Sequence, residues 1–180
     1  MLSILCVLER GTWADAHLAG SLRAMGHHVE VFHYGTGVGE FYGRARGVLR
    51  AEKNLALLAQ ARAMRSAGGL DLVFCYVYDD FLLPETARDL ARLDAPLVNY
   101  NVDMVNQWYR QTRTAKFFTR MLCAQRDNMT NLARYNPRVL HFPMAAIPDR
   151  RAGLQVHVPR TEIRTVQRQP LPLFARVQFT

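Results

Sequence analysis

Cysteine is scarce in this 180-residue sequence, and long apolar segments are absent. The three cysteines, Cys6, Cys75 and Cys123, show neither CxxC nor Cys/His spacing, which argues against a disulfide scaffold or a zinc site and favours a reducing, cytoplasmic location. Apolar runs such as Ile4–Leu8 are far shorter than the roughly 20 residues that a membrane-spanning helix needs. No basic segment or cleavage site accompanies that run, so the sequence predicts neither a secretion signal nor a membrane span.

Lysine is also rare, because 21 of the 23 basic residues are arginine, and the net charge is +8. Six of the arginines lie in residues 149–180, which contain two acidic residues. Aromatic residues do not alternate with these arginines, so the pattern does not favour nucleic-acid binding. Residues 150–180 contain three prolines and no regular apolar period, which predicts a basic, loosely ordered tail after one domain of residues 1–149.

Apolar runs of strand length alternate with amphipathic helical stretches along residues 1–149. This alternation predicts an α/β fold with a doubly wound, Rossmann-like parallel sheet of about six strands. The predicted strands are Leu2–Leu8, Val29–Tyr34, Leu70–Val77, Pro96–Val102, Met121–Ala124 and Val139–Phe142.

Helices are predicted between these strands from apolar spacing and end signals. The first is Asp15–Met25, followed by Gly26 where a helix end needs a positive φ, and residues 104–118 are predicted to be helical in part. The second helix presents an inward stripe of Val48, Ala51, Leu55, Leu58, Ala61 and Met64. The third begins at Pro84 and turns Ala87, Leu90 and Ala91 inward, and the fourth runs from a capping Asp127 to about Tyr135.

Polar residues crowd the loops that follow the predicted strands. Open parallel sheets bind ligands beyond the carboxyl ends of their strands, so these loops predict a carbohydrate or nucleotide site. The candidate binding residues are Gly11, Thr12, Trp13, His17, Asp79, Asp80 and Asn101, and the candidate catalytic base is Asp103. The spacing predicts no metal site.

Several candidates have a structural alternative. Asp79 and Asp80 can act as a general base with its partner or bind a metal, but they also fit a solvated turn, which we favour because no third ligand is near. Asp103 can accept a proton from a sugar hydroxyl or cap a helix, and His17 can be a base, a phosphate contact or a structural histidine. The stretch Gly35–Gly39 follows the second strand and precedes a glutamate, so it does not match the dinucleotide-binding fingerprint.

Parts of the sequence resemble glycosyltransferases of the GT-B type. The run LRAMGHHVEVF resembles the first helix, Gly-His turn and second strand of their N-terminal domains. More specific are DLVFCYVYDDFLLPE, APLVNYNVD, CAQRDNMTNLARY and HFPMAAIPD, all between Asp71 and Asp149, which resemble bacterial glycosyltransferase-like proteins of the spore-maturation CgeB type.

The resemblance implies an N-terminal half that holds a sugar or glycan acceptor and a C-terminal half that binds a nucleotide-sugar as co-substrate, without a tightly bound cofactor. Nothing after Asp149 resembles the donor half, and 31 residues are too few to form one. We therefore expect a truncated acceptor-side half, inactive by itself, which needs a separate donor domain. By analogy of position, Asp103 and the loop around Thr12–His17 are acceptor-side candidates. The alternative is a stand-alone flavodoxin-like module that binds a small ligand or has a regulatory role.

Overall fold

A computed structural model describes residues 1–35, 44–102 and 107–143 of the chain. Six β-strands are present in these ranges, and both ends of each strand lie within two residues of the predicted ends. They are Ser3–Leu8 (β1), His28–His33 (β2), Leu72–Cys75 (β3), Leu97–Asn101 (β4), Arg120–Cys123 (β5) and Val139–His141 (β6).

The six strands form one sheet in the order β2-β1-β3-β4-β5-β6, and every neighbouring pair is parallel. The register pairs Leu8 with His33 across β1 and β2, and Val7 with Cys75 across β1 and β3. Parallel neighbours require crossover connections, which place helices on the faces of the sheet. The prediction of an α/β, doubly wound parallel sheet is therefore confirmed.

Four α-helices occur among the described residues: Ala19–Ala24 (α1), Arg44–Ser66 (α2), Pro84–Ala91 (α3) and Met129–Ala133 (α4). A π-helical turn, Ala14–Leu18, leads into α1, and proline begins α3, where its missing N–H is not needed. The predicted partial helix of residues 104–118 contains two short 3₁₀ helices, Trp108–Gln111 and Ala115–Phe117, and a third 3₁₀ helix, Arg126–Asn128, precedes α4.

One face of the sheet carries the larger apolar core. Alternate strand residues such as Val7 and Val73 pack there with Leu57 of α2, Leu90 of α3 and Leu132 of α4. Tyr76 and Tyr100 point to the opposite face, because the residues of each strand that belong to the larger core lie an odd number of positions away and side chains alternate between the faces. Trp13 contacts both tyrosines, so the turn that leads into α1 packs on that face. Helices thus flank both faces, as a doubly wound sheet requires.

Some predicted helix faces are wrong. On α2, Ala51 is exposed, and Val48 and Leu55 are 63% and 69% exposed. Arg50 and Asn54 lie on the inner side of this helix instead and bind carbonyl groups of the loop after β3. On α3, Ala91 is exposed. The predicted cap Asp127 is also wrong: it lies within the preceding 3₁₀ helix, and α4 begins without a side-chain cap.

Gly26 ends α1 as predicted, with φ of +85°, and its N–H donates to the carbonyl of Arg23 at 2.9 Å. A side chain strains this left-handed conformation, so Gly26→Ala is expected to lower the free energy of unfolding by about 1 kcal/mol. Thermal or urea denaturation measures the change. Gly20→Ala is the matched control: Gly20 lies inside α1 with open space around it, so alanine there is expected to stabilise the protein. Equal effects of the two substitutions would contradict this account.

Among the residues that the structure describes, no helix has the length and apolar character needed to cross a membrane.

Candidate functional site

The carboxyl ends of all six strands lie at one edge of the sheet because the strands are parallel. The chain leaves β1 toward β2 on one side and later reaches β3 on the other side, so the connections diverge between β1 and β3. The crevice at such a switch point is where doubly wound sheets bind ligands. The loop with Gly11 follows β1 and the loop with Asp80 follows β3, and these two loops flank the crevice.

Four aromatic side chains form a contiguous group at this edge, which we call the aromatic cluster: Trp13, Tyr76, Tyr100 and Phe142. The ring of Trp13 lies edge-on to the rings of Tyr76 and Tyr100, with centroids 5.5 and 6.4 Å apart, and Tyr100 contacts Phe142 at 5.5 Å. Trp13 and Phe142 remain partly exposed, whereas the two tyrosines are buried. The cluster provides an apolar wall with accessible ring surface beside the switch point.

Two buried polar atoms at the end of β4 have no hydrogen-bond partner among the described residues: the hydroxyl of Tyr100 and the Nδ2 of Asn101. Their residues are 2% and 0% exposed. Burial raises the pKa of Tyr100 to about 12, so its hydroxyl keeps its proton and is a hydrogen-bond donor at neutral pH. A buried donor without a partner costs about 1–3 kcal/mol, so the hydroxyl of Tyr100, which lies on the same face as Trp13 and Tyr76, favours a ligand that offers an oxygen acceptor.

Asn101 belongs to a buried amide network with Asn99 and Gln111. Asn99 accepts a hydrogen bond from the N–H of Val77 at 3.1 Å and donates to the carbonyl of Val77 at 3.0 Å. Its Nδ2 also lies within hydrogen-bond distance of Asn101 and Gln111 oxygens, and Gln111 donates to Asn101. The network joins the ends of β3 and β4, which fixes the position of Asn101.

Asp79 is buried and binds the chain that follows β4. Its carboxylate accepts hydrogen bonds from the N–H of Arg113 at 2.9 Å and from the N–H and hydroxyl of Thr114 at 3.2 and 2.6 Å. Burial raises the pKa of Asp79, and the hydrogen bonds from Thr114 and Arg113 oppose this rise. Because three donors occupy both oxygens, the carboxylate joins two loops of the fold.

Asp80 forms an ion pair with Arg110, whose guanidinium also lies 4.5 Å from the ring centroid of Tyr78. On the other side of the loop after β3, Arg50 of α2 donates to the carbonyls of Asp79, Phe81 and Leu82. Both acidic residues of the predicted pair therefore take part in contacts that hold the loops in place.

The turn after β1 uses its polar groups internally. The N–H of Gly11, which has φ of +73°, donates to Oδ2 of Asp15 at 3.1 Å. The hydroxyl of Thr12 donates to the carbonyl of Glu9 at 2.9 Å. His17 is exposed, and its side chain makes no hydrogen bond or ion pair with another described residue. Of the sequence candidates in this turn, Trp13 is the one that contacts the aromatic cluster.

Asp103, the candidate base, lies outside the described residues. Sequence reasoning did not single out Tyr76, Tyr100, Phe142 or His33 for the site. The available signal was their position, since each is one of the last three residues of a predicted strand, near the carboxyl edge of the sheet.

No protein family, curated protein or solved structure matches the chain when it is compared with known proteins. Within residues 1–35, 44–102 and 107–143, the structure brings no three histidine, cysteine or acidic side chains together as a metal site would need.

Proposed function

We propose that this chain is the acceptor-side half of a GT-B glycosyltransferase and that a hydroxyl-rich sugar or glycan binds at the carboxyl edge of its sheet. The observation that carries the proposal is the aromatic cluster with the unpartnered hydroxyl of Tyr100 beside it. Sugars combine apolar C–H faces, which pack on aromatic rings, with hydroxyl oxygens, which accept hydrogen bonds. Ligand sites commonly combine such apolar walls with a few placed polar groups.

The resemblance of the stretches between Asp71 and Asp149 to spore-maturation CgeB-type proteins supports the same proposal. In that arrangement a second domain binds the nucleotide-sugar, and this half presents the acceptor. The position of the cluster at the switch point agrees with the role of an acceptor site. Transfer in that arrangement needs both halves, and the residues of this half would hold the acceptor.

A cytoplasmic location is part of the proposal. The three cysteines are buried and free, although Cys6 and Cys75 lie on neighbouring strands. Burial raises the pKa of the Cys6 thiol to about 12 and also raises that of Cys75, so both thiols stay protonated and unreactive. Three unpaired cysteines suit a reducing compartment.

Tyr100→Phe tests the site because it removes the unpartnered hydroxyl and keeps the ring. We expect this change to weaken saccharide binding by about tenfold, the equivalent of one hydrogen bond. It should leave the free energy of unfolding of the free protein unchanged or higher, because the lost hydroxyl has no partner within the described fold. A purely structural role for the hydroxyl would instead lower stability.

Tryptophan fluorescence measures the binding. In a Trp108→Phe background, Trp13 is the remaining tryptophan and reports on the aromatic cluster. Neutral mono- and disaccharides are titrated in turn, and Tyr109→Phe is the matched control, because Tyr109 is exposed and contacts Trp108 outside the cluster. Absence of any saccharide response, or equal effects of the two tyrosine substitutions, would overturn the proposal.

A second candidate function is a stand-alone flavodoxin-like binding or regulatory module. The strand order favours it, because β2-β1-β3-β4-β5 is the order of flavodoxin-like sheets, whose ligand lies at the switch between β1 and β3. Titration with FMN and acetyl phosphate in the same assay separates the two functions. Binding of FMN or phosphorylation without a saccharide response would support the module.

A further inference from the structure

A histidine and a carboxylate meet at the carboxyl edge beside the aromatic cluster. Nε2 of His33, the last residue of β2, lies 2.7 Å from Oδ1 of Asp15, and both side chains are about a quarter exposed, at 27% and 26%. The other oxygen of Asp15 accepts the N–H of Gly11. Asp15 therefore holds the histidine ring and the turn after β1 together.

The carboxylate of Asp15 determines which nitrogen of the His33 ring carries the hydrogen and which nitrogen can accept a hydrogen bond. The hydrogen bond from His33 is the main cause that lowers the pKa of Asp15, with the Gly11 N–H and the charge of Arg10 adding to it, so Asp15 is ionised and can only accept. Nε2 of His33 must then carry the hydrogen, and Nδ1 of the neutral ring holds a lone pair. Nδ1 has no hydrogen-bond partner among the described residues, which leaves it able to accept a hydrogen bond.

The sheet register places this nitrogen close to the proposed sugar site. On one side of β1, Leu8 pairs with His33 of β2. On the other side, Val7 pairs with Cys75 of β3, and Tyr76 is the next residue along the chain. Since neighbouring strands lie about 4.8 Å apart, the backbones of His33 and Tyr76 are about 10 Å apart on one face of the sheet. Trp13 and Asp15 belong to the same turn between them, so a sugar on the aromatic cluster lies within reach of His33.

We propose that the Asp15–His33 pair binds a hydroxyl group of the ligand, with Nδ1 of neutral His33 as the hydrogen-bond acceptor, so that ligand binding requires the neutral histidine. This inference rests on the proposed sugar-binding function and adds a named acceptor and a pH dependence to the same site. The hydroxyl of Tyr100 donates to the ligand and His33 accepts from it, which suits a hydroxyl-bearing ligand that can do both.

The charged groups near His33 lie on the turn after β1, because the neighbouring residue of β1 is apolar and the arginine of α1 binds the other end of β2. The turn after β1 contributes Asp15 together with Glu9 and Arg10, of which Arg10 acts on Asp15. From α1, Arg23 donates to the carbonyl of Val29, at the other end of β2. Leu8, the register partner of His33 on β1, is apolar. Asp15 is the charged group in direct contact with the ring, at 2.7 Å.

Saccharide affinity is expected to fall as the pH falls from about 8 to about 5, the range in which histidine side chains take up a proton. Protonated His33 lacks the lone pair, so the affinity decreases by up to about tenfold per pH unit once the ring is mainly protonated. Trp13 fluorescence in the Trp108→Phe background measures the affinity at each pH. His33→Gln keeps an N–H group for Asp15 but cannot titrate, so it should remove the pH dependence.

His28→Gln is the matched control. His28 lies at the amino end of the same strand, and its Nε2 is 3.8 Å from Oε1 of Glu30. The substitution therefore removes a second histidine–carboxylate pair, one that lies away from the site. We expect His28→Gln to keep the pH dependence of the wild-type protein.

The outcomes separate this inference from the function on which it rests. A saccharide response with a pH dependence that His33→Gln removes and His28→Gln keeps supports both. A saccharide response that does not depend on pH, or a pH dependence that survives in His33→Gln, overturns the role of the Asp15–His33 pair and leaves the proposed function standing. A wild-type protein that responds to no saccharide at any pH overturns both together.

Discussion

Replacing Asp79 with alanine is expected to lower the free energy of unfolding by about 3–4 kcal/mol. The substitution leaves the N–H of Arg113 and the N–H and hydroxyl of Thr114 without their buried acceptor. Each hydrogen bond to a charged group contributes about 1.5–3 kcal/mol, and the three are not additive because they share one carboxylate. Urea denaturation followed by circular dichroism gives the difference.

Asp80→Ala is the control for Asp79, because it removes the neighbouring carboxylate and its pair with Arg110, which is partly exposed. Partly exposed pairs contribute little, so the loss is expected to be about 1 kcal/mol. The two substitutions thus separate a buried carboxylate that joins two loops from one in a partly exposed ion pair. A larger loss for Asp80 than for Asp79 would refute the structural role that we assign to Asp79.

Replacing Asn99 with alanine is expected to cost about 2–3 kcal/mol of unfolding free energy. Asn99 is 1% exposed, and its side chain satisfies both the N–H and the carbonyl of Val77 just after β3. Alanine leaves these two backbone groups buried without partners and removes a neighbour of Asn101 and Gln111. The loss should appear in chemical denaturation as a lower midpoint concentration of denaturant.

Asn131→Ala provides the comparison for Asn99. Asn131 lies on α4, is partly exposed, and its side chain makes no hydrogen bond with another residue in the described part of the chain. Its replacement by alanine, a better helix former, should leave stability unchanged or slightly higher. An Asn99→Ala protein as stable as the Asn131→Ala protein would show that the amide network does not stabilise the ends of β3 and β4.

The architecture was predictable because the strands are apolar on both faces. Runs such as Ile4–Leu8 have the length and composition of buried parallel strands, and the helical stretches between them require crossovers. The helix faces were less predictable. Apolar spacing selected Val48 and Leu55 on α2, but Arg50 and Asn54 face the sheet because the loop after β3 offers them carbonyl groups. Hydrogen bonds between distant segments leave no periodic signal in a sequence.

The candidate site was predictable in position and only partly in residues. The rule that ligands bind at the carboxyl edge selected the turn with Trp13, which contacts the aromatic cluster. It also placed Asp79 and Asp80 among the candidates. A solvated turn was the favoured prediction for this pair, and it is wrong for Asp79, which is buried; both residues bind neighbouring loops. Charged residues are recognisable as site candidates from the sequence alone. Tyr100 has the sequence pattern of a core residue, and only the structure shows that its buried hydroxyl has no hydrogen-bond partner among the described residues.

The contacts of Arg50 and Asn54 have a mechanical consequence. Their side chains bind carbonyls of Asp79 and Phe81, so the loop after β3 is attached to α2 as well as to its own strand. The carboxylate of Asp79 in turn accepts the hydroxyl of Thr114 after β4. Because these contacts are continuous, the loop after β3, the chain after β4 and α2 are expected to move together.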